Sequence, residues 1–181
     1  MPASRKLQNE ELHRLPVEEY REVEKLPVVV VLDNVRSQHN IGAVFRTCDA
    51  FRVEKIYLCG ITATPPHREI HKTALGAEES VAWEYAAETV AAVRRLKASG
   101  HVIVAVEQAE GSRSLEDYVP LPGARHAFIL GNEARGVDQE VVDLCDYCVE
   151  IPQFGTKHSL NVSVAAGIVL WQALRPLFPR P

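Results

Sequence analysis

Cysteine is scarce in this chain. Cys48, Cys59, Cys145 and Cys148 are too few and too scattered to frame a secreted disulfide scaffold. No apolar run approaches the roughly 20 residues that cross a bilayer. The longest one near the N-terminus is only Val28–Leu32, and the Glu-, Arg- and Lys-rich stretch before it lacks the apolar segment of a signal peptide. A cytoplasmic protein with no membrane association is the expectation. Positive charge is not in excess either: the formal net charge is −4. That argues against a histone-like or arm-like nucleic-acid binder, while leaving room for an enzyme with a local basic cleft. Internal repeats, low-complexity tracts and domain linkers are absent from the sequence. What is present is 181 residues, 46% hydrophobic and 24% charged, with 10 Gly and 11 Pro. Those proportions describe one ordinary globular domain that can bury a core without metal or disulfide staples.

The charged stretch Asn9–Lys25 has Leu12, Leu15 and Val23 as its apolar positions and is interrupted by Pro16, so it reads as a short helical extension on the domain surface. Val28–Leu32 is a continuous β-branched run, the pattern of a strand buried on both faces. Similar runs recur at Lys55–Cys59, His101–Val106, His126–Leu130 and Tyr147–Ile151. Helical spacings lie between them, through Ile41, Val44, Phe45, Cys48 and Phe51, through Val90, Val93 and Leu96, and through Val137, Val141, Val142 and Cys145. This alternation predicts an α/β fold with a mostly parallel sheet flanked by helices. Ser159–Leu174 differs: its apolar residues leave no polar face, which predicts a helix buried on all sides, with a second subunit as one way to cover it.

Ligands of open parallel sheets bind in the loops at the carboxyl ends of the strands. Four polar or glycine-rich segments fall there: Asn34–Gly42, Glu107–Gln108, Gly131–Gly136 and Pro152–Ser159. Turn chemistry explains any one of them, but four together suggest a site built from several loops. Asn40-Ile41-Gly42-Ala43-Val44-Phe45-Arg46 resembles the first motif of the SpoU/TrmH-type RNA 2'-O-ribose methyltransferases of the SPOUT superfamily. Leu130-Gly131-Asn132-Glu133-Ala134-Arg135-Gly136-Val137 is similar to the second motif, and the stretch from Ile151 to Ser163 to the third. The likeness runs in order from about Val28 to Trp171. Ala134 stands where the family usually has Gly, and Phe154 where it often has Met.

The resemblance implies a methyltransferase domain over 27–176 preceded by an extension over 1–26, a deep C-terminal trefoil knot, a homodimer, and S-adenosylmethionine held by the knotted loops. It implies an RNA substrate, with tRNA favoured over rRNA by analogy to minimal members. It assigns Arg46 to activating the ribose hydroxyl. Because arginine is effectively always protonated, binding the neighbouring phosphate and stabilising the alkoxide suits it better than acting as a simple base. Asn40 is expected to cap its helix or orient Arg46, and Ser159 to cap the last helix while contacting cofactor or RNA. Gln108, Leu130, Gly131, Asn132, Glu133, Gly136, Ile151, Pro152, Leu160 and Asn161 complete the implied cofactor site with Ser159. Within it, Gly131 allows close backbone approach to the ligand, and Ile151, Pro152 and Leu160 wall the adenine.

Other features carry less. Cys145-x-x-Cys148 lacks a second pair at zinc spacing, and His67 and His71 on a probable helix lack both a zincin motif and a third ligand, so no metal site is expected. Gly155-Thr156-Lys157 lacks the upstream half of a P-loop, and Arg94, Arg95 and Lys97 read as a solvated face. A competing reading is a catalytically inactive dimer that binds RNA or cofactor. A flavodoxin-like nucleotide binder would need a glycine-rich turn after the first strand, where this chain has Asp33-Asn34-Val35-Arg36-Ser37.

Overall fold

The structure, a computed structural model, describes residues 4–178. A 3-10 turn (Asn9–Leu12) and helix α1 (Val17–Glu22) lead into β1 (Leu26–Asp33), α2 (Gln38–Ala50) and β2 (Val53–Cys59). Then come α3 (Arg68–Ala74), α4 (Ala77–Ser80), β3 (Trp83–Ala86), α5 (Thr89–Ala98), β4 (His101–Val106) and the two-residue β5 (Arg113–Ser114). A second 3-10 turn (Leu115–Asp117) precedes β6 (Arg125–Leu130), α6 (Gln139–Val142), β7 (Tyr147–Glu150) and α7 (Val162–Leu174). The seven strands form one sheet in the order β3-β2-β1-β6-β4-β7-β5, and every pairing is parallel.

The valine run of β1 explains why this strand is central. It pairs with β2 on one side and β6 on the other, and alternate side chains enter opposite layers. Val28, Val30 and Leu32 join the layer containing α2 and α7, with Ile41, Phe45, Val169 and Leu170. Val29 and Val31 join the layer under α5, with Ala92, Val93 and Leu96. Full burial of each such side chain contributes roughly 1.5–3 kcal/mol relative to exposure.

Four differences from the sequence-based expectations have physical causes. The edge strands β3 and β5 carry no apolar run. In β3, Glu84 is salt-bridged to Arg95 at 2.9 Å and Lys55 at 3.4 Å, and Tyr85 is half exposed, the charged character that protects a sheet edge. The predicted helix through Val137–Cys145 is helical only over Gln139–Val142, although Val137 and Val141 are buried as the pattern requires. His67 lies outside its helix as the N-cap of α3, its Nδ1 accepting from the Glu69 N–H at 3.2 Å. Finally, α7 is not buried on all sides. Val162, Ala166, Val169, Leu170 and Ala173 face the core, while Val164, Ile168 and Trp171 are exposed.

Parallel pairing sends the loops after β1, β4, β6 and β7 to one edge of the sheet. The N-terminal extension packs elsewhere, where Arg21 of α1 donates to the Glu79 carbonyl of α4. The first three residues of that predicted extension lie outside the described residues.

Candidate active site

At the carboxyl edge of β4, β6 and β7 lies a cleft of about 300 Å³. It brings together nine of the residues predicted from sequence: Gln108, Leu130, Gly131, Asn132, Glu133, Gly136, Ile151, Ser159 and Leu160. The loop after β6 is closed by paired backbone hydrogen bonds, Asn132 N–H to Gly136 O at 2.9 Å and Gly136 N–H to Asn132 O at 2.8 Å. The Asn132 side chain fills its interior, accepting from the N–H groups of Ala134 (2.9 Å) and Arg135 (3.2 Å) and donating to the Asn34 carbonyl at 2.7 Å.

Two glycines make this closure possible. A Cβ on Gly131 would stand 2.1 Å from the Gly136 carbonyl carbon and 2.2 Å from the Val137 nitrogen. The space that Gly131 leaves open is therefore occupied by the loop's own return, not by a ligand, which corrects the sequence-based expectation. Gly136 has φ of +71°, and a Cβ there would meet Glu107 Oε2 at 2.1 Å. Glu107 underpins the turn, accepting from the Val137 N–H and the Gln108 N–H, both at 2.9 Å. Ala134, where the family usually has Gly, is not among the residues with positive φ, so it carries no left-handed backbone strain.

Glu133 ties this loop to the start of α2. Its carboxylate accepts from the N–H groups of Arg36 and Ser37 and from Asn40 Nδ2, each at 3.0 Å. Burial pushes the Glu133 carboxyl up, and the Arg36 and Ser37 N–H groups with the Asn40 amide outweigh it, holding it below the usual carboxylate range. Asn40 is not the N-cap of α2. Ser37 holds that position, accepting from the Asn40 N–H at 3.3 Å, and Asn40 turns its side chain outward. Its Oδ1 accepts from Asn161 Nδ2 at 3.0 Å, while Asn161 Oδ1 accepts from the N–H groups of Ser163 (2.9 Å) and Val164 (3.4 Å). Asn161, not Ser159, thus caps α7. Glu133, Asn40 and Asn161 link all three sequence motifs in one hydrogen-bonded chain. The fourth loop joins through Gln108 Nε2, which donates to the His158 carbonyl at 2.7 Å.

Four predicted residues stand apart from the cleft lining: Asn40 and Asn161 in this linkage, Arg46, and Pro152, which lines a separate apolar groove of about 580 Å³ with Phe154, Ile168 and Trp171. Arg46 is exposed on α2, in a groove shared with Thr47, Lys72, Thr73 and Gly167. Glu107, Arg135, Glu150 and His158 line the cleft without having been singled out as site residues. Their position at strand ends or within the motif loops was the available signal.

Residues 27–171, from β1 into α7, match the SpoU rRNA Methylase family. The chain belongs to that family. It is 34% identical over 149 residues to the 23S rRNA (guanosine-2'-O-)-methyltransferase RlmB of Neisseria meningitidis, a match covering 82% of this chain and 58% of RlmB. This chain therefore spans less than two thirds of that relative. Among solved structures, the A. aeolicus TrmH/SpoU tRNA modifying enzyme superposes with a TM-score of 0.77 at 31% identity, covering 88% of this chain and 81% of the other. The AdoMet-bound rRNA methyltransferase from Sinorhizobium meliloti gives 0.80 at 30% identity, covering 88% and 61%. The family is thus shared with proteins described as acting on both tRNA and rRNA, and the parallel seven-stranded sheet is the architecture they have in common with this chain.

Proposed function

We propose that the cleft binds S-adenosylmethionine and that this chain is an RNA ribose 2'-O-methyltransferase. The observation that carries the reading is the junction of four loops around one cleft, linked through Glu133, Asn40, Asn161 and Gln108. The cleft suits the cofactor chemically. Leu130, Ile151, Leu160, Val162 and Ala165 supply apolar walls for an adenine ring, and Ser159 and the backbone of the surrounding loops supply polar groups for its other parts. When bound, that cofactor supplies an electrophilic methyl group on a sulfonium. The protein's task is to orient the acceptor and adjust charge.

Arg46 serves the RNA side in this reading. Its guanidinium grips the phosphate next to the target ribose by two hydrogen bonds and stabilises negative charge on the 2'-oxygen. A homodimer belongs to the same reading: the bare face of α7 with Val164, Ile168 and Trp171 calls for an apolar cover. Gly167 on that helix lines the Arg46 groove, so the pairing surface and the arginine adjoin. The C-terminal trefoil knot, a methyltransferase unit over 27–176 with 1–26 as its extension, and a cytoplasmic location complete the proposal. Among the described residues no helix is long and apolar enough to cross a membrane. A tRNA is favoured over rRNA by analogy to minimal members of the family.

Radiolabelled methyl transfer to total RNA tests the activity, and mapping of 2'-O-methyl sites in tRNA and rRNA with and without the gene identifies the target. Arg46→Ala is expected to lower turnover by about a hundredfold or more while leaving cofactor affinity within roughly twofold. Arg46→Lys keeps the charge and loses the two-pronged grip, so low activity there supports phosphate clamping. Full turnover in Arg46→Ala rejects the arginine's role. Cofactor binding without methyl transfer to any RNA supports the inactive, ligand-binding dimer instead.

A further inference from the structure

Three of the residues lining the cleft are acidic, Glu107, Glu133 and Glu150, and they lie there with Arg135 and His158. Two of the three are already engaged. Glu107 accepts from the Gln108 and Val137 N–H groups, and Glu133 from those of Arg36 and Ser37 and from the Asn40 amide. Glu150 is different. It is the last residue of β7, directly before Ile151 of the cleft wall, and it is half-buried. Its backbone is registered against Ser114 of the edge strand β5, so the strand is held without help from the side chain. Among the described residues its carboxylate has neither a hydrogen-bond donor nor an ion-pair partner. A neutral side chain would serve β7 equally well, and an acid is accounted for when the cleft's ligand brings a positive charge.

We propose that Glu150 is a specificity residue whose carboxylate recognises the sulfonium of S-adenosylmethionine, making the cleft prefer the methyl donor over its demethylated product, S-adenosylhomocysteine. The proposal rests on the reading that this cleft binds the cofactor. Donor and product share the adenosine, the carboxylate and the ammonium, and they differ by one methyl group and one positive charge on sulfur. Apolar walls sense only the methyl group, worth roughly tenfold or more in a fitted pocket, and do not respond to the charge. A nearby carboxylate acts on the charge itself. An opposite charge within about 4–6 Å favours the charged form of a group by one pK unit or more, a factor of about ten. The engaged carboxylates of Glu107 and Glu133 are held by fixed N–H donors, which leaves Glu150 as the acid free to answer a cation. Because this interaction is made with the bound donor, its loss raises KM for the donor more than it lowers kcat.

The test is calorimetric titration of the full chain and of Glu150→Gln with S-adenosylmethionine and with S-adenosylhomocysteine. The expected result is that the unaltered protein prefers the donor, and that Glu150→Gln weakens donor binding about tenfold while product binding changes less than twofold. Glu150→Asp, which keeps the charge, retains the preference and serves as a second variant should Glu150→Gln fold poorly. Equal weakening of both ligands assigns Glu150 to the shared ammonium or to loop packing and overturns the proposal, as does no change in either. Absence of binding of both ligands to the unaltered protein overturns the cofactor reading itself, and the role of Glu150 with it.

Discussion

Gly131 has no room for a side chain because the backbone of Gly136 and Val137 returns against it. Backbone cannot swing aside as a side chain can, so even a methyl group opens the Asn132–Gly136 turn. Gly131→Ala is expected to cost about 1–3 kcal/mol of stability, the range for overpacking a fitted site, and to weaken ligand binding at the same time. Thermal unfolding and calorimetric titration of the same preparation check this. Lost binding with an unchanged melting temperature shows that the side chain blocks the ligand and not the loop. The turn itself was readable from sequence, since Gly, Asn and Gly after an apolar run announce one. What holds it was not readable. Glu133 is 97 residues from Arg36 in the chain, and a surface-looking acid gives no sign of the N–H groups it will meet. The caps show the same limit: Ser37 and Asn40, or Ser159 and Asn161, are equally good capping residues by type. Only the path of the backbone decides that Ser37 and Asn161 take the role, freeing Asn40 to bridge Glu133 and Asn161.

The long buried strands and the helices between them follow directly from residue pattern, because a β-branched run such as that of β1 has no other stable place than the middle of a parallel sheet. Short or polar elements escape the same logic. In β3 the run Trp83-Glu84-Tyr85-Ala86 is held by its neighbour β2 and by the Glu84 ion pairs, neither of which has a local signature. Helix α7 sits between these cases. Its sequence calls for apolar surroundings on every side, yet its own chain buries the face with Ala166, Val169 and Leu170 and leaves Trp171 half exposed against Phe51 and Phe178, with Val164 and Ile168 open. Pattern alone cannot say whether the same chain or a second copy supplies the remainder. Ile168, 38% exposed beside the half-exposed Trp171, separates the two. Ile168→Glu leaves the monomer's core intact and places an unpaired ion in any α7-mediated interface. That costs several kcal/mol, roughly a hundredfold or more in dimer dissociation. Light scattering at micromolar concentration is expected to give a dimer for the unaltered chain and a folded monomer for the variant. A monomer in both removes the homodimer from the proposal.

Across the whole molecule the sheet separates two polar regions, the cleft at its carboxyl edge and a buried histidine cluster at its amino edge. His101 opens β4 and His126 lies one position into β6, with Val102 paired to His126 in register. Both rings are buried. His101 Nδ1 meets the Leu96 carbonyl at 3.1 Å and the Ser99 hydroxyl at 3.0 Å, while its Nε2 has no partner. His126 Nε2 accepts from the Leu121 N–H at 3.3 Å, a bond that requires the ring to be unprotonated there. Burial lowers the pKa of both, with Arg125 adding to the effect at His101 and His101 adding to it at His126. Below the ordinary histidine value of 6.5, the unfolded chain therefore takes up protons that the folded chain refuses. The linkage sign follows: stability is full above that pH and is lost progressively as pH falls below it. The carboxyls held low in the fold, Glu84 and Glu133 among them, contribute in the same direction, but only below the ordinary carboxylate value of 4.5. The histidine window is thus separate from the acid one. Denaturant unfolding between pH 7.5 and pH 5, a range of about one unit above to one and a half below that value, is expected to show a steadily falling midpoint. His126→Gln flattens the slope, because its amide oxygen can still accept from Leu121 and does not titrate. An unchanged slope in that variant assigns the acid loss to groups other than His126. Since the cluster and the cleft lie at opposite edges of the sheet, and Glu133 stays ionised through this range, the Glu133 tie between the cleft loops is expected to hold while global stability declines.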